Sequence, residues 1–201
     1  PEVAPEDTIH EIKRLTGRMV AINLEPAAVR NDGEKSVWSL TEGRRATVEN
    51  AKKAADMGVD MIVLTGNPGV GVDNKAITKA LADLNEAVGD RVILTAGKMH
   101  ASGILSEAGE KILTKEDAET FIEAGADVLL LPAPGTVPGF TMEHAAELIK
   151  TAHEKGVLAM TTIGTSQEGA DEETIRQIAL MCKMAGADIH HIGDSGYMGM
   201  A

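Results

Sequence analysis

The sequence has few aromatic residues, one cysteine and no excess of positive charge. Its 201 residues include one Trp, one Tyr and two Phe, so the core must be built from aliphatic side chains and the ten Met. The single cysteine, Cys182, excludes a disulfide within the chain and indicates a reducing compartment. The formal net charge of −12 argues against nucleic acid as a partner, because phosphate contacts need clustered Lys and Arg.

The sequence also lacks a long apolar run. No stretch reaches the roughly 18 residues of a membrane span, and the first residues do not show the basic-then-apolar pattern of a signal peptide. We therefore expect a cytoplasmic protein with no membrane partner. A small anionic metabolite stays compatible with the acidic charge, because backbone N–H groups and one or two local cations can hold it.

What the sequence does contain is a repeated unit of helix and strand. Most strands follow one sequence motif, in which a helix ends in Gly, a small or apolar residue follows, and Asp precedes the strand. Gly suits a helix end because it adopts the left-handed conformation at little cost. The predicted strands are Met19–Glu25, Asp60–Asn67, Arg91–Gly97, Asp127–Pro132, Val157–Thr162 and Asp188–Asp194. The predicted helices are Pro5–Leu15, Thr47–Met57, Asn74–Val88, Lys115–Ala124, Met142–Lys155 and Glu172–Ala185.

This pattern predicts an α/β fold, a (β/α)8 TIM-type barrel, as a single domain over residues 1–201. The alternative is an open doubly wound sheet, in which only the loops near the switch point need to carry a site. Here nearly every strand ends in a polar or Gly/Pro-rich loop, as in a barrel whose loops all surround one site. A barrel has eight strands, so we expect the chain to supply about six βα units of an incomplete barrel, without the first two strands and the last helix.

The strand ends carry the residues that predict chemistry. Asn23 and Glu25 share one face of the first strand. Lys98 and His100 follow the third strand in a shared direction. A lysine in an apolar barrel mouth can act as a nucleophile or base, and a histidine moves protons near neutral pH.

Glycine and hydroxyl residues follow three other strands and are typical of anion-binding loops. The loop after the second strand contains Asn67 and Gly69, and the last two strands end in Gly164-Thr165-Ser166 and Gly193-Asp194-Ser195. In many barrels the last two loops bind phosphate through backbone N–H groups. His190 and His191 must point to opposite faces of their strand, and we assign His190 to the site together with Asp194.

Four of these runs resemble a family of uncharacterised bacterial TIM-barrel proteins that is often labelled haloacid dehalogenase-like hydrolase. The runs are Asn23–Pro26, Thr65–Gly69, Ala96–His100 and His190–Asp194, and the resemblance spans essentially the whole chain. It implies the barrel fold and the strand-end site. It also implies a longer N-terminus that would supply the two missing strands.

The predicted function is that of a lyase or isomerase of the aldolase type, which acts on a small phosphorylated or carboxylated metabolite. The alternatives are a metal-dependent hydrolase and a non-catalytic sensor that binds a metabolite; we also expect a homo-oligomer. No cofactor is certain from these residues, and a divalent metal is the candidate, with Glu25, His100, His190 and Asp194 as its ligands. The predicted catalytic residues are Lys98, His100, Glu25 and Asp194. The predicted substrate-binding or phosphate-binding residues are Asn23, Asn67, Gly69, Gly164, Thr165, Ser166, His190, Gly193 and Ser195.

Overall fold

The computed structural model describes residues 3–26, 40–65, 72–99, 109–164 and 170–193. Its α-helices are α1 Thr8–Thr16, α2 Val48–Asp56, α3 Asn74–Val88, α4 Lys115–Glu123, α5 Met142–Glu154 and α6 Glu172–Ala185. Its strands are β1 Ala21–Asn23, β2 Met61–Thr65, β3 Ile93–Gly97, β4 Val128–Pro132, β5 Leu158–Ile163 and β6 Ile189–Ile192. None of the helices in this described part combines the length and apolar character that crossing a bilayer requires.

The six strands form one parallel sheet in the order β1-β2-β3-β4-β5-β6. A doubly wound sheet reverses its strand order at a switch point, and this sheet has no reversal. The sheet instead curls into a partial barrel, which confirms the predicted fold class and excludes the doubly wound alternative.

Short polar side chains cap five of the six described helices at or next to their predicted starts. In each case the side-chain oxygen accepts a hydrogen bond from a backbone N–H in the first helical turn, which would otherwise lack a partner. At α4 the cap is reciprocal, since Thr114 and Asp117 each bond the other's backbone N–H. The capping residues are Thr47, Asp73, Thr114, Thr141 and Asp171.

The two faces of the sheet form separate apolar clusters. The larger cluster lies between the sheet and the helices, and it includes Leu94, Leu129 and Ala159. The smaller one lies on the inner face of the curl and is built around Met61, Val128, Leu130 and Met160. The inner cluster is the smaller of the two, so this face has room for a cavity.

The Asp of the repeated motif joins neighbouring strands by hydrogen bonds at their N-terminal ends. The backbone N–H of Asp127 donates to the Leu94 carbonyl, and the Asp127 carboxylate accepts from the Leu94 N–H, both at 2.8 Å. Asp60 makes the same pair of bonds with Val20, and Asp188 makes it with Ala159. This end of the sheet is therefore devoted to stability, and the C-terminal ends are left for chemistry.

Acid should weaken this fastening at Asp60. A hydrogen bond from the Lys13 ammonium (2.7 Å), helped by the Val20 N–H, lowers the pKa of Asp60 below its ordinary value of 3.8. A carboxyl whose pKa is lower in the folded state stabilises the fold above its unfolded pKa, and this contribution is lost as pH falls through the folded value. We expect the free energy of unfolding, measured in urea from pH 7 to pH 2, to fall below pH 4 less steeply in Asp60→Asn than in the wild type. An equal slope in both proteins, or the same change in the exposed control Asp90→Asn, would contradict this origin.

Candidate functional site

A cavity of about 430 Å³ opens on the inner face of the curled sheet and reaches the C-terminal end of β1. Its polar wall comes from β1, the segment after it, β2 and β6. Its apolar wall comes from the middle of the sheet. The described residues that line it are Ala21, Ile22, Asn23, Glu25, Arg44, Met61, Val63, Thr65, Met99, Leu130, Met160 and His191.

Glu25 and Arg44 are the two charged groups among these lining residues, and they form an ion pair. Glu25 is buried, at 7% exposure, whereas the Arg44 side chain is 52% exposed. A buried carboxylate needs such a partner, because an unpaired charge is costly to remove from water. Asn23 lies on the same face of β1 and also lines the cavity, so both residues that we selected at this strand end lie together.

The backbone around Glu25 holds Arg44 in place. Arg44 ends a short 3-10 helix, Glu42–Arg44, and its carbonyl accepts a hydrogen bond from the Glu25 N–H at 2.7 Å. The Ala46 N–H then donates to the Glu25 carbonyl at 3.0 Å. Residues 44–46 thus run beside the end of β1 like a short extra strand. Arg44 was not predicted from sequence, because it lies 19 positions after Glu25 and outside every predicted strand.

The structure places His191 in the cavity, in contrast to our assignment of His190. His190 lies on the helix-facing side, where its Nδ1 is 3.1 Å from the Thr161 hydroxyl. Thr161 in turn lies beside the thiol of Cys182 in α6, whose pKa is raised by burial. The sequence Ile-His-His-Ile puts one Ile and one His on each face of β6, so alternation alone does not reveal which His points inward.

The segment after β3 contributes Met99 to the described lining of the cavity, and not Lys98. Lys98 is buried at the end of β3, with 2% of its surface exposed. Gly97, the residue before Lys98, is paired with Leu130 of β4. A Cβ at position 97 would lie 2.6 Å from the Leu130 carbonyl carbon and would overlap its oxygen, so the end of β3 is drawn tightly onto β4.

Two predicted phosphate-binding glycines occupy different environments. Gly164, directly after β5, lies against Met99, because a Cβ at position 164 would be 3.0 Å from the Met99 sulfur. The Gly193 N–H donates to the Ile163 carbonyl at 2.7 Å, so it extends the sheet and does not point at a ligand. The other predicted site residues lie outside the described residues: Asn67, Gly69, His100, Thr165, Ser166, Asp194 and Ser195.

Two threonines that were not predicted as site residues also face inward. Thr65 lines the cavity at the end of β2. Thr95 is fully buried and pairs with Val63 in the sheet register, and its hydroxyl has no hydrogen-bond partner among the described residues. Threonine is an ordinary strand-forming residue, so no local sequence signal distinguishes a threonine that faces the cavity from one that does not.

The described residues contain no group of three His, Cys, Asp or Glu side chains that could hold a metal ion. Of the four predicted metal ligands, Glu25 lies in the cavity and is engaged by Arg44. His190 lies on the other face of its strand, and His100 and Asp194 lie outside the described part.

The chain belongs to a family whose model, described as "Domain of unknown function (DUF7916)", matches residues 1–201. A comparison with curated proteins finds no match. The haloacid dehalogenase-like resemblance that we drew from sequence is wrong: the matching family is a different one, and the similar solved structures belong to other enzyme classes. The sequence agrees with this correction, since it contains no Asp-x-Asp pair of the kind such phosphatases use as nucleophile.

Solved structures share the fold at low sequence identity. A protein proposed to be a lyase or mutase from Burkholderia cenocepacia J2315 is 18% identical over 96% of this chain and 63% of its own, with a TM-score of 0.57. A 2,3-dimethylmalate lyase of the PEP mutase/isocitrate lyase superfamily is 12% identical over 96% of this chain and 60% of its own, with a TM-score of 0.58. The carboxyl transferase domain Y628A of Rhizobium etli pyruvate carboxylase, solved with pyruvate, is 15% identical over 94% of this chain and 33% of its own, with a TM-score of 0.54. The chain thus spans less than two thirds of each of these structures.

Proposed function

We propose that this member of the DUF7916 family is a lyase-type enzyme that binds a small carboxylate in the cavity at the end of β1. One observation carries the proposal: a Glu25–Arg44 ion pair lies at one end of a cavity whose other end is apolar. Such a cavity suits a ligand with an anionic group at one end and a short carbon chain at the other.

Arg44 is the group that would bind the ligand carboxylate. A guanidinium has five N–H donors, and the bond to Glu25 is made through Nη2. With half of its side chain exposed, Arg44 can donate hydrogen bonds to a second carboxylate beside Glu25. The planar guanidinium, with its paired N–H donors, matches a carboxylate better than any other side chain does.

Glu25 is the group that would move a proton. Cleavage of a carbon–carbon bond in a hydroxy acid needs a base that removes the hydroxyl proton, and it leaves an electron pair as an enolate. A fixed cation nearby stabilises the charge that develops on the enolate oxygen. The pair supplies both kinds of group, and Asn23, Thr65 and His191 supply further polar contacts around the same cavity.

The names of the similar structures support this reaction class. Two of them are a lyase/mutase and a 2,3-dimethylmalate lyase, and a third holds pyruvate. These names describe small carboxylates and the breaking or rearrangement of bonds beside them. We favour a carboxylate over a phosphorylated metabolite because Arg44 is the cation among the described lining residues, whereas the N–H of Gly193, a predicted phosphate-binding residue, donates to the Ile163 carbonyl.

The test uses the full chain and the thermal midpoint of unfolding, which a ligand of the native state raises by mass action. The probes are pyruvate, malate, inorganic phosphate and Mg²⁺, each alone, followed by a turnover assay for every probe that binds. A rise with pyruvate or malate, together with turnover, supports the proposal. Binding without turnover would favour the sensor. A rise with phosphate alone or Mg²⁺ alone would overturn the carboxylate assignment.

Lys98 provides a separate prediction within this proposal. Lys98 is the predicted catalytic lysine, although it is not among the described lining residues of the cavity. If its buried amine forms a Schiff base with a 2-oxo acid, sodium borohydride added with pyruvate should fix the substrate to Lys98. The expected result is a mass increase on the peptide that contains Lys98, with activity lost in proportion. Lys111, which follows in the 3-10 helix Gly109–Ile112, is the control peptide. An unmodified Lys98, or full activity in Lys98→Ala, would remove the Schiff-base step and leave the role of Arg44 and Glu25 standing.

A further inference from the structure

Three methionines, Met61, Met99 and Met160, form most of the apolar end of the cavity together with Val63 and Leu130. Methionine is unbranched and flexible, so a wall of methionines adapts to the shape of the group that it contacts. Met61 and Met160 are held within strands and are buried, at 8% and 6% exposure.

Met99 differs from the other two because it lies outside the sheet. It follows Gly97, the last residue of β3, by two positions, and its sulfur reaches Gly164 directly after β5. Since β4 lies between β3 and β5 in the sheet, the Met99 side chain crosses over the C-terminal end of β4. It therefore covers the apolar end of the cavity on the side from which the barrel loops begin.

The missing side chain at Gly164 makes this position of Met99 possible. A Cβ built on Gly164 would lie 3.0 Å from the Met99 sulfur and 4.0 Å from its Cγ. The first distance is shorter than ordinary van der Waals contact, so a methyl group there would displace the Met99 sulfur by a few tenths of an ångström. The backbone of Gly164 has no positive φ, and an alanine is accordingly compatible with its conformation.

We propose that Met99 and Gly164 together set the size of the alkyl substituent that the cavity accepts on its carboxylate ligand. The proposal rests on the proposed function, since it assigns the carboxylate to Arg44 and the alkyl group to the methionine wall. Met99 limits the length of the alkyl group, and Gly164, which has no side chain, leaves space for the Met99 sulfur. Neither residue touches the reacting atoms, so both determine specificity.

The experiment measures dissociation constants of the full chain for pyruvate, 2-oxobutanoate, 2-oxopentanoate and 3-methyl-2-oxobutanoate. Binding is followed without turnover, so the result does not depend on activity. One methylene in an apolar pocket changes discrimination by about tenfold or more. Met99→Ala should therefore raise the affinity for 2-oxopentanoate relative to pyruvate by about tenfold. Gly164→Ala should lower the same ratio by less than about tenfold, because the shift it forces on Met99 is a fraction of a methylene.

Two controls separate specificity from a general loss of structure. Met184→Ala removes an exposed methionine of α6, at 65% exposure, and should leave every ratio unchanged. Met99→Leu keeps most of the volume and should behave nearly as the wild type. If both cavity variants change all four affinities by one factor, this inference is overturned while the proposed function stands. If the wild type binds neither malate nor any of the four acids, the proposed function falls and this inference falls with it.

Discussion

Replacing Gly97 by alanine is expected to cost about 3 kcal/mol or more of the free energy of unfolding, a large loss for a single methyl group. The new Cβ would lie 2.6 Å from the Leu130 carbonyl carbon and 3.0 Å from its Cα. Both atoms belong to the backbone of β4, so no flexible side chain can move away. β3 and β4 would have to separate, which would weaken the pairing of Thr95, Ala96 and Gly97 with β4.

Urea unfolding at neutral pH measures the effect, and Gly43→Ala is the matched control. A Cβ at position 43 would meet nothing within 4 Å, so this variant should change the free energy of unfolding by less than about 0.5 kcal/mol. A Gly97→Ala protein as stable as the control would show that the strands can part at no cost. Because Met99 and Lys98 follow directly, the Gly97 variant should also lose ligand binding even where it remains folded.

The fold was predictable because the same local signals recur in each unit. The bounds of α3 and α6 agree with the sequence interpretation at both ends. The motif with Gly and Asp predicted where the strands begin. The structure shows why Asp occurs there, since its carboxylate accepts a hydrogen bond from the backbone of the neighbouring strand. Local signals of this kind report capping, helix ends and strand starts, which depend on residues a few positions apart.

The site was less predictable because it depends on contacts between distant segments. Asn23 and Glu25 were found by alternation along a strand, which is a local rule. Arg44 reaches Glu25 through a backbone pairing that no sequence pattern announces. His191 and His190 have equivalent neighbours in sequence, and only the position of β6 against Thr161 decides which one faces the cavity.

The ion pair provides the second large effect, because its two members should respond in opposite ways. In Arg44→Met the ligand carboxylate loses its cation, and a charge-assisted hydrogen bond contributes about 1.5–3 kcal/mol. The dissociation constant for pyruvate or malate should therefore rise by roughly 10- to 150-fold. This variant also leaves the Glu25 carboxylate buried without its partner, so its thermal midpoint should fall as well.

In Glu25→Gln the shape of the side chain is kept and its negative charge is removed. Arg44 then no longer has to divide its donors between Glu25 and the ligand, and a repulsion between two carboxylates disappears. We expect the same carboxylates to bind as tightly as in the wild type or more tightly. Turnover should nevertheless fall by about 100-fold or more, because a general base contributes that much to such a reaction.

The opposite signs separate this site from a purely structural ion pair. Arg14 and Glu11 form an exposed pair on α1, and Arg14→Met should leave binding, turnover and the thermal midpoint nearly unchanged. If Glu25 and Arg44 only held the end of β1 against residues 44–46, both of their variants would lower the midpoint and weaken binding together. Tighter binding with slower turnover in Glu25→Gln, beside weaker binding in Arg44→Met, is the result that a structural pair cannot produce. It would identify Arg44 as the cation that binds the carboxylate and Glu25 as the base that acts on it.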